Sequence, residues 1–90
     1  MEIKIRSNPN TFEITEFRIN GVKADVEDFG EICEMSTCHM FISGRKEMTQ
    51  SQFLDVLAKY YISEKEFEKV CDELYREIYW DNKIKHSSPR

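Results

Sequence analysis

A chain of 90 residues with a net charge of −4 forms one domain, because two hydrophobic cores at this length would each be too small to be stable. No apolar run approaches the roughly 20 residues that span a bilayer, and the alternating N-terminus is unlike the continuously apolar core of a signal peptide. We therefore expect a cytoplasmic protein that does not contact a membrane. Three cysteines at irregular spacing favour reduced thiols over a disulfide framework.

The N-terminal part of the chain has the pattern of antiparallel strands. Apolar Ile3 and Ile5 alternate with polar residues, as in a strand with one buried face. A second strand is predicted from about residue 11 to residue 19, and a change of apolar phase along it indicates a bulge near Thr15-Glu16. The sequence therefore predicts two neighbouring strands, the second of them irregular.

The dipeptide Asn20-Gly21 gives the strongest local signal, because both residues tolerate the positive φ angles of a type I′ hairpin turn. A two-residue turn here places Ile19 opposite Val22. Asp25 is then predicted to cap a short helix that ends at Gly30. A further strand is predicted over residues 38–42, although the sequence does not identify the strand with which it pairs.

Two helices are predicted at the end of the domain, each with a capping box: Thr49 with Gln52, and Ser63 with Glu66. The predicted apolar faces are Phe53, Leu54, Val56, Leu57 and Tyr60 or Tyr61 in the first helix, and Phe67, Val70, Cys71, Leu74 and Ile78 in the second.

Strands followed by helices indicate an α+β fold, in which a small antiparallel sheet of three to four strands, including the Asn-Gly hairpin, packs against two C-terminal helices. The domain is predicted to span residues 1–82. Residues 83–90 are basic and have almost no apolar content, so we expect a disordered tail.

No complete catalytic motif is present in the sequence. Asp28-Phe29-Gly30 matches the metal-binding triplet of protein kinases but has none of its companion motifs, and we expect Phe29 to anchor the core instead. Cys38 beside His39 is the sole nucleophile–base pair, and it has no orienting third group. These observations predict a protein that is not an enzyme and has no cofactor.

A zinc site is the alternative chemical interpretation. Cys33, Cys38 and His39 are suitable ligand types, yet a structural zinc needs four ligands, and adjacent residues on a strand point to opposite faces. A small zinc-binding regulatory protein therefore remains the second hypothesis for function.

Five acidic residues and no basic residue occur between residues 25 and 34: Asp25, Glu27, Asp28, Glu31 and Glu34. Such a patch repels a phosphate backbone, so direct binding of nucleic acid is not expected. It is suited to a basic surface on a partner protein, to which it would be steered electrostatically. The alternative is a solvated acidic loop.

Three aromatic residues near the C-terminus form a second candidate for partner contact. Tyr75 and Tyr79 are four residues apart on one side of the second helix, and Trp80 follows them. Aromatic residues are enriched in interfaces, but they serve equally well in a core. Both roles stay open for Tyr75, Tyr79 and Trp80.

Three segments, residues 20–31, 38–41 and 56–63, resemble an uncharacterised family of small proteins from phages and mobile elements of low-GC Gram-positive bacteria. The resemblance covers about residues 12 to 78. It implies a phage or mobile-element origin, and small phage proteins often block host proteins. The expected function is a non-enzymatic, anti-CRISPR-like inhibitor that binds a host defence protein, itself a nucleic-acid binder, through the acidic surface.

Overall fold

The computed structural model describes residues 1–8, 13–35 and 38–80, and within them five strands precede two helices. The strands are β1 (Ile3–Ser7), β2 (Ile14–Ile19), β3 (Val22–Lys23), β4 (Gly30–Met35) and β5 (Cys38–Ser43). The helices are α1 (Gln50–Tyr60) and α2 (Glu64–Tyr75), with a 3₁₀ turn at Val26–Asp28 and a π-helical continuation of α2 at Arg76–Trp80. The predicted α+β class with two C-terminal helices is confirmed. The predicted tail over residues 83–90 lies outside the described residues.

Strands β1, β2 and β3 form an antiparallel sheet in sequence order. Arg6 pairs with Glu16 and Ser7 pairs with Ile14, so Thr15 is an extra residue on β2. This confirms the predicted bulge. An extra residue bends its strand, which explains why the apolar residues of β2 change phase at this point.

The hairpin between β2 and β3 turns at Asn20 and Gly21, whose φ angles are 53° and 80°. Ile19 pairs with Val22, as the two-residue turn predicts. The Asn20 side-chain amide also donates a hydrogen bond of 2.8 Å to the carbonyl of Tyr60. The turn is therefore attached to the C-terminal end of α1.

Strands β4 and β5 form a separate two-stranded antiparallel sheet, in which Gly30 pairs with Ser43. The predicted strand over residues 38–42 is confirmed, and β4 is the partner that the sequence did not identify. A Cβ at Gly30 would overlap the carbonyl oxygen of Ile42. Glycine is therefore required at this position of β4, because a side chain would meet the backbone of β5.

Both helices begin as predicted. Thr49 and Gln52 exchange the two hydrogen bonds of a capping box at α1, and Ser63 and Glu66 do so at α2. Helix α1 ends at Tyr60, and the next residue, Tyr61, caps it in the left-handed conformation with a φ of 57°. None of the described helices is both long and apolar enough to span a membrane.

The core lies between the strands and the two helices, and Phe29 is at its centre. Phe29 is fully buried, and its ring centroid is 5.7 Å from that of Phe17, 5.5 Å from that of Tyr60 and 5.0 Å from that of Phe67. The prediction that Phe29 anchors the core is confirmed. The assignment of Leu54 to the buried face of α1 is wrong, since half of its surface is exposed.

Candidate binding groove

A groove of about 730 Å³ lies between α1, the 3₁₀ turn and the ends of β4 and β5. Its charged lining consists of Glu27, Asp28, Glu31, Glu47, Asp55 and Lys59. Its apolar lining consists of Ile42, Met48 and Val56. We call this feature the acidic groove.

Asp28 is held at one end of the acidic groove by two hydrogen bonds. Its carboxylate accepts from the ammonium of Lys59 at 2.9 Å and from the hydroxyl of Tyr60. The Tyr60 hydroxyl also accepts from the backbone N–H of Asp25 at 3.2 Å. These bonds attach the 3₁₀ turn to α1, so the groove wall has a fixed position relative to the helix.

The protonation of this network follows from its surroundings. Burial, together with the hydrogen bond to Asp28, raises the pKa of the Tyr60 phenol. The hydrogen bonds to Asp28 and Tyr60 raise the pKa of the Lys59 ammonium. At neutral pH the phenol is therefore neutral, the lysine is charged, and Asp28 is matched by its own counter-ion.

The other four carboxylates of the groove have no such counter-ion. Among the described residues, no lysine or arginine lies within ion-pair distance of Glu27, Glu31, Glu47 or Asp55. Glu31 accepts a hydrogen bond of 3.5 Å from the thiol of Cys33. The groove thus carries an excess of negative charge next to apolar surface, including Ile42, which is 46% exposed.

The structure distributes the five sequence-predicted acidic residues over more than one location. Glu27, Asp28 and Glu31 line the acidic groove. Asp25 caps the 3₁₀ turn by accepting from the backbone N–H of Glu27, and it lines a different concavity on the side of β2 and β3. The side chain of Glu34 lies outside the described part of the chain.

Sequence reasoning missed Glu47 and Asp55, which complete the acidic groove. Asp55 and Lys59 are four residues apart, a spacing that puts both on one flank of α1. The spacing of Asp55 and Lys59 could therefore have been recognised from the sequence. The approach of Glu47 to the same flank depends on how the turn after β5 packs, which no local pattern encodes.

Of the three residues of the zinc hypothesis, the structure describes the side chain of Cys33 alone. Cys33 lies on β4, and partial burial and the neighbouring carboxylate of Glu31 raise the pKa of its thiol, which disfavours the thiolate form that binds metal. Cys38 pairs with Met35, but the side chains of Cys38 and His39 lie outside the described residues. Within the described part of the chain, no three potential ligands cluster around one point.

The aromatic candidates are described only at Tyr75, which lies on α2 and is 38% exposed. The side chains of Tyr79 and Trp80 are outside the described residues. Of the two candidate contact surfaces, only the acidic groove has its side chains within the described part of the chain.

Comparison of the chain with protein families, with curated proteins and with solved structures finds no match. The resemblance to small phage proteins stays a prediction, and the candidate function depends on the geometry and charge of the acidic groove.

Proposed function

We propose that this protein is a non-enzymatic binding module whose acidic groove holds a lysine- or arginine-bearing segment of a partner protein. One observation carries the proposal. Four carboxylates that have no counter-ion among the described residues line the groove together with apolar side chains, of which Ile42 is partly exposed. Cationic side chains suit such a lining, since their heads pair with carboxylates while their aliphatic stems cover apolar surface.

The arrangement of the carboxylates favours an extended partner segment over a single ion. Glu27 and Glu31 lie on one side of the groove, and Asp55 lies on α1 on the other. The described residues contain no group of three acidic, cysteine or histidine side chains able to hold a metal. A segment with several cations can reach separate carboxylates, whereas one metal ion cannot.

Asp28, Lys59 and Tyr60 form a hydrogen-bonded network at the groove, and we assign this network a structural role. Their hydrogen bonds are made to one another and to the backbone of Asp25. This network fixes the position of the groove wall and needs no reacting substrate to explain it. The groove is then a preformed docking surface, which lowers the cost of ordering on binding.

The partner class that best fits the groove is a protein with a basic nucleic-acid channel. Such a channel offers closely spaced lysines and arginines, and the acidic groove presents negative charge as a phosphate backbone does. We propose that the protein blocks such a channel, as an anti-CRISPR-like inhibitor of phage or mobile-element origin would. The groove itself would repel nucleic acid.

Affinity capture from the lysate of a bacterial host tests the proposal. We compare the wild type with a groove variant, Glu31→Gln with Glu47→Gln, and with a matched control on α2, Glu64→Gln with Glu68→Gln. All four residues are exposed, and both variants change the net charge equally. The wild type and the control should retain the same protein at low salt, and the groove variant should lose it.

The captured protein should also release bound nucleic acid when the wild type is added. Equal capture by the wild type and the groove variant would exclude the groove as the docking site. Capture that leaves the partner's nucleic-acid binding unchanged would exclude the inhibitor function.

A further inference from the structure

The three-stranded sheet presents cations on the side away from the core. Lys4 and Arg6 on β1, Arg18 on β2 and Lys23 on β3 are all exposed, and we call them the basic face. Lys4 pairs with Arg18, and Arg18 pairs with Lys23. Residues directly opposite on neighbouring strands share one face of a sheet, so these three cations form a row across it.

The basic face is only partly neutralised within the molecule. Glu16 lies 3.6 Å from the guanidinium of Arg6 and 3.7 Å from that of Arg18, so one carboxylate serves two arginines. No carboxylate among the described residues pairs with Lys4 or Lys23. Like charges directly opposite on adjacent strands destabilise a sheet, and an external anion would relieve this repulsion.

The surroundings of the row distinguish between kinds of anion. Single-stranded nucleic acid is usually held by aromatic side chains that stack on its bases. The exposed residues of β1, β2 and β3 include no aromatic side chain. A long polyanion crossing this face would also meet the carboxylate of Glu16, which lies between Arg6 and Arg18. A compact group of protein carboxylates therefore fits the basic face better than a nucleic acid does.

A compact acidic group of this kind exists on the same chain. Within the described residues, four carboxylates of the acidic groove and two lysines of the basic face have no counter-ion. We propose that the basic face of one copy binds the acidic groove of a second copy, so that the protein associates head to tail. The two surfaces are different patches, which makes the contact heterologous and allows it to extend beyond a dimer.

The contact depends on charge and is therefore weak and sensitive to salt. At about 0.02 M salt, charges interact over tens of ångströms, whereas at about 0.5 M the screening length falls to a few ångströms. The weight-average mass from sedimentation equilibrium should exceed 10.8 kDa and rise with concentration at low salt. It should return to the mass of one chain at high salt.

Two neutralising variants test the pairing of the surfaces. Lys4→Gln with Lys23→Gln weakens the basic face, and Glu31→Gln with Glu47→Gln weakens the acidic groove. Each variant alone should stay monomeric at low salt. An equimolar mixture should form a 1:1 complex that grows no further, because each copy keeps only one working surface. Circular dichroism verifies that both variants are folded.

Several results would overturn the inference. They are a wild type that stays monomeric at low salt, association that persists in either variant, and a mixture that grows beyond a dimer. Binding of a labelled single-stranded oligonucleotide that the Lys4 and Lys23 substitutions abolish would assign the basic face to phosphate instead. The inference uses the same groove as the proposed function, but its test contains no partner, so the two can fail separately.

Discussion

Tyr60 illustrates how one residue connects the core to the acidic groove. Its ring packs against Phe29 in the core, and its hydroxyl meets Asp28 and the backbone of Asp25 at the groove wall. The side chain is fully buried. A buried hydroxyl with both a donor and an acceptor partner stabilises the fold modestly, and removing it costs each of those partners one hydrogen bond.

We predict that Tyr60→Phe lowers the free energy of unfolding by about 1 to 2 kcal/mol, because it removes the acceptor of the part-buried Asp25 N–H and one of the two donors to the Asp28 carboxylate. The pKa of Tyr60 is raised in the folded state, so above its ordinary value of about 10 the folded state holds a proton that the unfolded state has lost. The contribution of the Tyr60 phenol to the free energy of unfolding is therefore fully present below about pH 10, and it is lost as the pH rises through the folded-state pKa.

Urea unfolding between about pH 8 and about pH 11 measures both effects. The decline in stability above about pH 10 should be shallower in Tyr60→Phe than in the wild type. The Lys59 pKa is raised as well, so part of the decline should remain. Identical pH profiles in the two proteins would contradict the assigned network.

The burial of single residues was predicted correctly at Phe29 but not at Leu54, which is also apolar and yet half exposed. Phe29 has no polar group and follows a capped turn, and it is buried as expected. Tyr60 and Tyr61 were indistinguishable by spacing, yet Tyr60 is buried and Tyr61 is 78% exposed. The end of α1 decides between them, because the left-handed conformation at Tyr61 turns the chain away from the helix.

At the scale of elements, the features that were predicted most accurately are those whose hydrogen bonds join residues close together in the sequence. The two capping boxes and the Asn-Gly turn are closed within four residues, and all three form as expected. The strand Gly30–Met35 was missed, since its sequence mixes charged and apolar residues and its pairing depends on β5. The division into two sheets follows from packing that a local pattern does not encode.

The row of cations on the three-stranded sheet makes a separate prediction about stability. Replacing Lys23 by Glu turns a like-charge pair with Arg18 into an opposite-charge pair, and we expect a gain of about 0.5 kcal/mol in the free energy of unfolding. Lys23→Gln is the control, since it removes the repulsion without adding attraction, and its gain should be smaller. Thermal unfolding at low salt measures the series, and a loss of stability in Lys23→Glu would contradict the register.

At the scale of the whole molecule, the net charge of −4 conceals a separation of charge. In the part of the chain that the structure describes, carboxylates of the acidic groove and lysines of the basic face lack counter-ions, and the two surfaces are separate. The acidic stretch could be recognised in the sequence because its members lie within ten residues of one another. The sequence could not locate Glu47 and Asp55 in the same groove, or align Lys4 with Lys23, because folding alone brings those residues together.

The binding of a short arginine-rich peptide, followed through the backbone amide signals of the isotope-labelled protein by NMR, tests the central claim most directly. In the Lys4→Gln with Lys23→Gln background, where no second copy competes for the groove, the signals that move should belong to the 3₁₀ turn, the start of β4, residues 44–48 and α1, and not to the basic face. The affinity should fall about tenfold in the Glu31→Gln with Glu47→Gln variant, as two surface ion pairs of about 0.7 kcal/mol each would require. Changes spread evenly over the surface, or equal affinity in the variant, would contradict the assignment of the groove as a docking site.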